Sequence, residues 1–338
     1  LIAKSKRVKT IDKIIDAVFQ VHGGYALTIM TNKKLVGIRD PYGIRPLVLG
    51  KLKDSYILSS ETCALDIIGA EFIREIENGE IVIIDKNGVE SIKPFPKTPA
   101  RPCVFEYVYF SRPDSIVGGK AVHQYRKNLG KELAKELKID ADLISAVPDS
   151  GVPAAIGYAN ESGVPYDMGI IRNHYVGRTF IEPTQQIRQL GVKLKHNANK
   201  KIIKNKKIIL VDDSLVRGTT SKKLVDMLFT AGAKEIHLCI SSPPIKFPDY
   251  YGIDTPNIKD LIAANHTNEE IRKIIGVTTL QYLSIDGLYR ALGFDKRDNK
   301  NPQFTDHCFT GDYPVQPVDQ LNQAEKNNQL SLLSNVRT

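Results

Sequence analysis

The most informative stretch of this chain is residues 206–221, KKIILVDDSLVRGTTS. The apolar run 208–211 has the composition of a buried strand and ends in two adjacent carboxylates, Asp212 and Asp213. A short loop rich in hydroxyl groups follows, and residues 222–231 have the apolar spacing of a helix. Because free N–H groups at a helix N-terminus bind anions, this stretch predicts a site for a phosphorylated sugar.

Different residues of the stretch suit different parts of such a ligand. The carboxylates of Asp212 and Asp213 are placed for ribose hydroxyl groups or for Mg²⁺, which prefers oxygen ligands. The N–H groups that can hold a phosphate belong to Gly218, Thr219, Thr220 and Ser221. A Rossmann-like strand, loop and helix with a surface acidic pair is the alternative, but it does not require Thr-Thr-Ser directly after Arg-Gly.

Length and composition are those of a globular protein with more than one domain. The 338 residues suggest two domains, and 42% of them are hydrophobic. No apolar run approaches the ~20 residues that span a bilayer. The basic start, residues 1–7, is not followed by the apolar core of a signal peptide. We therefore expect a cytoplasmic protein without a membrane segment.

The formal charge of +9 invites comparison with nucleic-acid-binding proteins. Much of that charge lies in residues 193–207, KLKHNANKKIIKNKK, where no aromatic side chains are interleaved for base stacking. A solvated surface that attracts a highly anionic phosphate substrate explains the lysines better. We expect no nucleic-acid partner.

The cysteines are widely scattered and form no CxxC pair; they are Cys63, Cys103, Cys239 and Cys308. This spacing argues against a disulfide framework and against a zinc site. Cys239 lies inside the apolar run 236–240 and is predicted to be a buried strand residue.

The pattern before residue 93 predicts an antiparallel α+β domain. Residues 11–21 have helical apolar spacing, and residues 60–65 begin a short helix with a plausible cap. Strands separated by turns are predicted at 25–31, 35–39, 47–51, 56–60 and 80–85. We place this domain at residues 1–92, followed by a proline-rich linker at residues 93–100.

Beyond the linker, strands and helices alternate, which predicts an α/β domain with a largely parallel sheet. Strands are predicted at 104–110, 143–147, 168–172, 208–211 and 235–241, and helices at 123–137, 153–162, 221–231, 258–264 and 268–275. Ligands of such domains bind beyond the carboxyl ends of the strands, where residues 148–151 and the loop after Asp212 both lie. We assign this domain with its C-terminal helices to residues 101–297. An irregular tail, 298–338, is predicted to be poorly ordered from residue 316.

Residues 212–221 closely resemble the signature of type I phosphoribosyltransferases, which bind phosphoribosyl pyrophosphate. Further stretches resemble the amidophosphoribosyltransferase family, glutamine-dependent pentosyltransferases of the first step of purine synthesis. They are RDPYGIRPL at 39–47, SSE at 59–61, CVFEYVYFSRPDS at 103–115, NHYVGRTFI at 173–181, YGID at 251–254 and EIRKIIG at 270–276. The resemblance covers about residues 11–314. It implies a type I phosphoribosyltransferase domain, a parallel sheet flanked by helices, preceded by the second half of an N-terminal-nucleophile glutaminase domain.

One departure from that family concerns the glutaminase nucleophile, a cysteine at the mature N-terminus. This chain begins at Leu1, and its Cys63 and Cys103 are internal residues without the free α-amino group that activates such a nucleophile. We expect the full-length protein to use glutamine, and the chain as given to use at most free ammonia.

A second departure concerns iron, because some family members carry an iron–sulfur cluster on four cysteines. Cys103 and Cys308 fall at or near ligand positions, whereas Asp249 and the neighbourhood of Thr305 offer no thiolate. We predict no iron–sulfur cluster. The cofactor that the resemblance implies is Mg²⁺.

The resemblance also implies the reaction, in which ammonia displaces pyrophosphate from C1 of phosphoribosyl pyrophosphate to give 5-phosphoribosylamine. Asp212 and Asp213 would hold the ribose hydroxyl groups and Mg²⁺, and Ser150 would complete the metal environment. For Ser150, a cap of the helix that begins near Pro153 is the alternative role.

Two further groups of residues are implied as substrate ligands. The phosphate and pyrophosphate would be bound by Ser214, Arg217, Gly218, Thr219, Thr220 and Ser221. A mobile loop with Arg172, Tyr175 and Arg178 would close over the substrate and exclude water, which competes with ammonia. The resemblance adds purine nucleotides as inhibitors and assembly into homo-oligomers.

Two alternatives stay open at this point. One is a base-salvage phosphoribosyltransferase of the same fold, and the other is a non-catalytic ligand-binding or RNA-binding protein that reuses it.

Overall fold

The computed structural model describes residues 1–173, 196–253, 255 and 257–317. After a 3₁₀ turn at Ile2–Lys4, the first part of the chain forms antiparallel sheets with two helices. Its elements are α1 (Thr10–Val18), β1 (Ala26–Met30), β2 (Leu35–Arg39), β3 (Val48–Leu52), β4 (Ser55–Ser59), α2 (Thr62–Ile68), β5 (Glu71–Glu75), β6 (Ile81–Asp85) and β7 (Gly88–Ile92). One sheet has the order β1-β2-β6-β7 and the other β4-β3-β5. The predicted antiparallel α+β character of residues 1–92 is therefore found.

Strands β5 and β7 were not predicted from the sequence. Each lies at the end of its sheet's strand order, and the first three residues of β5 are exposed. A strand at a sheet edge has no need of an alternating apolar pattern, because little of its surface is buried. Hydrophobic periodicity alone could not reveal these two strands.

The remaining elements belong to the second part of the chain. They are a π-helical turn (Glu106–Phe110), β8 (Ile116–Val117), β9 (Lys120–Ala121), α3 (Val122–Glu136), β10 (Leu143–Ala146), α4 (Val152–Ser162), β11 (Ile170–Arg172), β12 (His196–Ala198), α5 (Lys200–Ile203), β13 (Lys207–Asp212), α6 (Thr219–Thr230), β14 (Glu235–Ile240), a 3₁₀ turn (Ile258–Asp260), α7 (Ile262–Asn265), α8 (Asn268–Ile275), β15 (Thr279–Tyr282), α9 (Ile285–Ala291) and α10 (His307–Thr310). The central sheet is parallel and has the order β10-β13-β14-β15.

Strand β13 shows that this sheet is covered by apolar clusters on both faces. Residues 208–211 are all fully buried. Ile209 and Val211 pack into the cluster that contains side chains of α3 and α4, whereas Ile208 and Leu210 pack into the cluster that contains side chains of α6 and α8. Alternate residues of a strand face opposite sides of the sheet, so a strand covered on both faces is continuously apolar. Cys239 of β14 is fully buried, as predicted.

The structure corrects two strand predictions. Residues 104–110 were predicted as a strand, but Glu106–Phe110 forms a π-helical turn in which the consecutive residues Glu106, Tyr107 and Val108 are all buried. A short apolar run does not distinguish a buried strand from a buried helical segment. Strand β11 does exist, but it pairs antiparallel with β12 and not with the parallel sheet.

Residues 298–317 are more ordered than their polar sequence suggested. They contain α10, and Phe304, Cys308 and Phe309 are buried in the same core as α3 and α4. Their backbone also bonds to the start of the second part, with the N–H of Val104 donating to the carbonyl of Thr305. Residues 318–338 lie outside the described residues, and the domain limits proposed from the sequence stay predictions. Within the ranges that the structure describes, no helix is long and apolar enough to cross a membrane.

Candidate active site

The acidic pair lies at the carboxyl end of the central strand β13. Asp212 is the last residue of the strand, Asp213 follows it, and both are nearly buried, at 9% and 5% exposure. The N–H of Asp213 donates to Oδ1 of Asp212 at 2.9 Å, and the hydroxyl of Ser214 donates to Oδ1 of Asp213 at 2.5 Å. Two carboxyl groups are thus held side by side in a site with little water.

Burial, and then the negative charge of Asp213, raises the pKa of Asp212 well above its usual range. Burial raises the pKa of Asp213 too, although the hydroxyl groups of Ser150 and Ser214 and the charge of Arg126 oppose the rise. Such a pair favours a ligand that brings positive charge or hydroxyl donors. Among the described residues, no three His, Cys, Asp or Glu side chains are grouped to hold a metal. The oxygen donors present fit Mg²⁺, which needs only one or two protein carboxylates when water and substrate supply the rest.

The N-terminus of α6 forms the next wall of the site. Its N-cap is Gly218 in the left-handed conformation, φ +74°, and no side chain caps the helix. The first helical residues are therefore Thr219, Thr220 and Ser221, two positions earlier than predicted. The first four N–H groups of a helix have no intrahelical partner and carry its positive dipole end. These N–H groups suit an anionic ligand, and phosphate binding by this turn stays a prediction.

A second loop, residues 148–151, reaches the same edge of the sheet. The N–H of Val147 donates to the carbonyl of Val211, and a Cβ at Gly151 would lie 2.5 Å from that carbonyl oxygen. Only glycine permits this close approach. The peptide bond between Pro148 and Asp149 is cis. The N-cap of α4 is Gly151, so Ser150 is not the cap residue, and its hydroxyl acts on Asp213 instead.

These walls enclose an open cavity of about 1060 Å³. The predicted site residues that line it are Ser150, Arg172, Asp212, Asp213, Ser214, Arg217, Gly218, Thr219, Thr220 and Ser221. Arg172, at the end of β11, forms an ion pair with Asp149, and Arg217 forms one with Asp260 at 3.1 Å. Tyr175 and Arg178 lie outside the described residues. The structure therefore brings every described residue of the predicted site to one cavity.

Other residues of the cavity were not named as site residues from the sequence, although the loop 148–151, which contains Asp149, was expected at this edge. They include Tyr109, Phe110, Ser111, Arg112, Arg126, Asp149, Asp249 and Cys308. Arg126 is 4% exposed and donates to the carbonyls of Tyr107 and Ser111, at 3.2 and 2.6 Å. Its sequence signal was a charged residue on the apolar stripe of α3, in phase with the buried Val122 and Leu129.

The positions associated with an iron–sulfur cluster hold a different set of groups. Cys103 and Cys308 are buried, and burial raises the pKa of both thiols. Asp249 accepts from Nε2 of His307 at 2.8 Å and from two backbone N–H groups. Two protonated thiols and an engaged carboxylate do not fit a cluster held by four thiolates. The absence of a cluster stays a prediction.

Comparison with known proteins assigns the class and then the family. A family model described as "Phosphoribosyl transferase domain" matches residues 119–244. Together with the phosphate loop and the acidic pair, this match defines a phosphoribosyltransferase domain of type I. The amidophosphoribosyltransferase of Rhizobium etli is 56% identical over 340 residues, covering 99% of this chain and 68% of the relative. The chain belongs to the amidophosphoribosyltransferase family.

Further relatives agree. The amidophosphoribosyltransferase of Bacillus subtilis is 47% identical over 94% of this chain and 66% of its own length. The protein "Amidophosphoribosyltransferase 1, chloroplastic" of Arabidopsis thaliana is 49% identical over 94% of this chain and 56% of its own length. This chain thus spans only about half to two thirds of the length of its curated relatives.

A solved structure agrees as well, that of the glutamine phosphoribosylpyrophosphate amidotransferase of Bacillus subtilis complexed with ADP and GMP. It has a TM-score of 0.87 at 47% identity, over 94% of this chain and 69% of that chain. The family predicted from the sequence is confirmed. Neither a base-salvage enzyme nor a binding protein of the same fold is favoured.

Proposed function

We propose that this protein transfers ammonia to C1 of phosphoribosyl pyrophosphate, releasing pyrophosphate and forming 5-phosphoribosylamine. The observation that carries the proposal is the juxtaposition of two buried carboxyl groups, Asp212 and Asp213, with the uncapped N-terminus of α6 in one cavity. A ribose 5-phosphate carries hydroxyl groups at one end and a dianionic phosphate at the other. The cavity is lined by both carboxylate acceptors and amide donors, which supports the proposal.

Asp212 and Asp213 would accept the hydroxyl hydrogens of the ribose. Ionised together and close to each other, they would also hold Mg²⁺, with the Ser150 hydroxyl beside Asp213 as a further oxygen donor. When bound, Mg²⁺ would neutralise charge on the pyrophosphate leaving group. The carboxylates would also stabilise the positive charge that develops on the ribose as the bond to pyrophosphate weakens.

The N–H groups and hydroxyls of the first turn of α6 would hold the 5-phosphate. Gly218 allows the chain to turn into the helix in the left-handed conformation, and Thr219, Thr220 and Ser221 supply the donors. Fixing the phosphate in this way orients C1 toward the rest of the cavity, so that catalysis is mainly a matter of positioning. Ser214 and Arg217 belong to the same loop and are proposed as further substrate ligands.

The pyrophosphate would be bound by cationic groups of the cavity. Arg172 lines it and forms an ion pair with Asp149, and a pyrophosphate could replace that carboxylate as the partner of the guanidinium. Tyr175 and Arg178 remain proposed parts of a closing loop that excludes water from the reactive ribose.

The nitrogen source and the regulation follow from the family. We propose glutamine as the source of ammonia for the full-length protein, and purine nucleotides as inhibitors. The Bacillus subtilis relative was solved with ADP and GMP, and a second relative, 46% identical, is described as the allosteric regulatory enzyme of purine biosynthesis. A homo-oligomeric state and a cytoplasmic location also remain proposals.

The test is pyrophosphate release by the purified chain with Mg²⁺, phosphoribosyl pyrophosphate and ammonium. We expect ammonium-dependent release that Asp213→Asn abolishes. The matched control is Asp226→Asn, which changes an exposed aspartate of α6 and should retain full activity. Release that requires a purine base and ignores ammonium would overturn the proposal in favour of base salvage.

A further inference from the structure

Residues 106–116 form one wall of the cavity, and we call them the wall segment. It comprises the π-helical turn Glu106–Phe110 and the residues up to the start of β8. Its cavity-lining residues are Tyr109, Phe110, Ser111, Arg112 and Pro113. The wall segment is not a strand of the central sheet, so the position of its backbone depends on other contacts.

Its C-terminal half is held by side chains from the first part of the chain. Oε2 of Glu61 accepts from the N–H of Arg112 at 2.7 Å and from the hydroxyl of Ser115 at 2.7 Å. The next residue, Thr62, accepts from the N–H of Ile116 through its hydroxyl at 2.8 Å. Ser115 and Thr62 are buried, at 0% and 3% exposure. Backbone donors must find partners, so these side chains determine where the wall segment runs.

Its N-terminal half is held from both sides. Nη1 of Arg45, in the first part of the chain, pairs with Oε1 of Glu106 at 2.8 Å, and Ser111 donates to the other oxygen of that carboxylate at 2.5 Å. On the far side, Arg126 of α3 donates to the carbonyl of Ser111, and its charge acts on Asp213. A displacement of the wall segment would therefore change the contacts of Arg126, which lines the same cavity as the acidic pair.

We propose that Glu61 is a positioning residue for the phosphosugar cavity, acting through the backbone of Arg112. Its single oxygen Oε2 binds the backbone N–H of Arg112 and the hydroxyl of Ser115, and Arg112 and Ser111 line the cavity. The part of the chain before the linker thereby completes the substrate site of the other domain. This inference rests on the proposed function for the identity of the substrate.

The test compares Glu61→Ala with Glu61→Gln and the matched control Glu71→Ala, an exposed residue of β5. The alanine variant lacks Oε2 and so loses the two hydrogen bonds that the N–H of Arg112 and the hydroxyl of Ser115 donate to it. We expect the KM for phosphoribosyl pyrophosphate to rise about tenfold while kcat changes less than about twofold. Glu61→Gln keeps an amide oxygen that accepts both bonds and should restore the wild-type KM. Hydrogen exchange at the amides of Arg112 and Ile116 should accelerate in Glu61→Ala alone.

Two outcomes with the Glu61 variants overturn the inference. One is a wild-type KM and unchanged amide exchange in Glu61→Ala. The other is a Glu61→Gln variant as impaired as Glu61→Ala, because charge and not acceptor geometry would then be responsible. If Glu61→Ala does not fold, Ser115→Ala removes one of the two bonds and should raise the KM by a smaller factor with the same local increase in exchange. An unchanged KM and exchange in that variant also overturn the inference.

A failure of the proposed function would look different. The wild-type protein would then release no pyrophosphate under any of the assay conditions. Calorimetric binding of phosphoribosyl pyrophosphate and amide exchange of the wall segment still decide whether Glu61 positions the cavity.

Discussion

Two glycines, Gly130 and Gly157, lie at a close contact between helices α3 and α4, and we predict that adding a methyl group to either one destabilises the fold. Gly130 of α3 faces Ala154 of α4, and Gly157 of α4 faces Lys127 of α3. A Cβ at Gly130 would lie 1.8 Å from the carbonyl oxygen of Ala154, and one at Gly157 would lie 1.9 Å from that of Lys127. The obstructing atoms belong to the backbone, so no side-chain rotation can relieve the clash.

The magnitude follows from this geometry. Real Cβ atoms essentially never lie within 3.0 Å of such an atom, so Gly130→Ala must separate the helices by about 1.2 Å. Overpacking of this kind costs about 3 kcal/mol, and the better helix propensity of alanine returns about 1 kcal/mol. The net loss of about 2 kcal/mol lowers the Tm by roughly 4–8 °C for a domain of this size. Since α3 carries Arg126 and α4 follows Ser150, the KM for phosphoribosyl pyrophosphate should rise as well.

A double-mutant cycle monitored by thermal unfolding tests this reasoning. Once one methyl group has separated the helices, the second meets less resistance, so Gly130→Ala with Gly157→Ala should cost clearly less than the sum of the single changes. Ala154→Gly serves as the control, because removing that side chain leaves the carbonyl in place and should not rescue Gly130→Ala. A Tm of Gly130→Ala within about 1 °C of wild type, or full rescue by Ala154→Gly, would refute the proposed backbone contact.

Three further outcomes are expected. Burial raises the pKa of Asp212, so the folded state loses stability as the pH rises from about 4 through the higher folded pKa. Asp212→Asn should therefore have a higher Tm than wild type at pH 7 but the same Tm near pH 3, and it should release no pyrophosphate. A lower Tm at pH 7 would contradict this reasoning. Burial acts to raise the pKa of Asp249, but the bond from His307 and the backbone N–H groups outweigh it and lower the pKa. The stability that this carboxylate adds is present above about pH 4 and is lost as the pH falls through its folded pKa, so Asp249→Asn should cost about 3 kcal/mol in neutral urea unfolding and nothing at low pH. Gly218→Ala places a Cβ on a residue with φ +74°, 2.9 Å from the side chain of Ile262, and should lower the free energy of unfolding by about 1–2 kcal/mol. It should also weaken phosphoribosyl pyrophosphate binding measured by calorimetry. Unchanged binding would show that this turn is not the phosphate site.

The sequence alone determined the parts of this protein whose chemistry is local. The strand 208–211, the acidic pair and the hydroxyl-rich helix start are contiguous, so their residue types and spacing predicted a phosphate-binding turn before any contact was known. The alternation of strands and helices also predicted the parallel sheet, because strands buried on both faces are continuously apolar. These features require only short-range periodicity and turn chemistry.

The tertiary structure decided the parts that depend on contacts between distant residues. Residues 106–110, inside the predicted strand 104–110, form a π-helical turn whose buried carboxylate, Glu106, pairs with Arg45, 61 positions earlier. Arg126 is held at the cavity by hydrogen bonds to the carbonyls of Ser111 and Tyr107, 15 and 19 positions earlier in the chain. Glu61, in the first part of the chain, accepts a hydrogen bond from the wall segment. Local hydrophobic patterns carry no information about such partners, because the free energy that selects them comes from burying polar groups together across the fold.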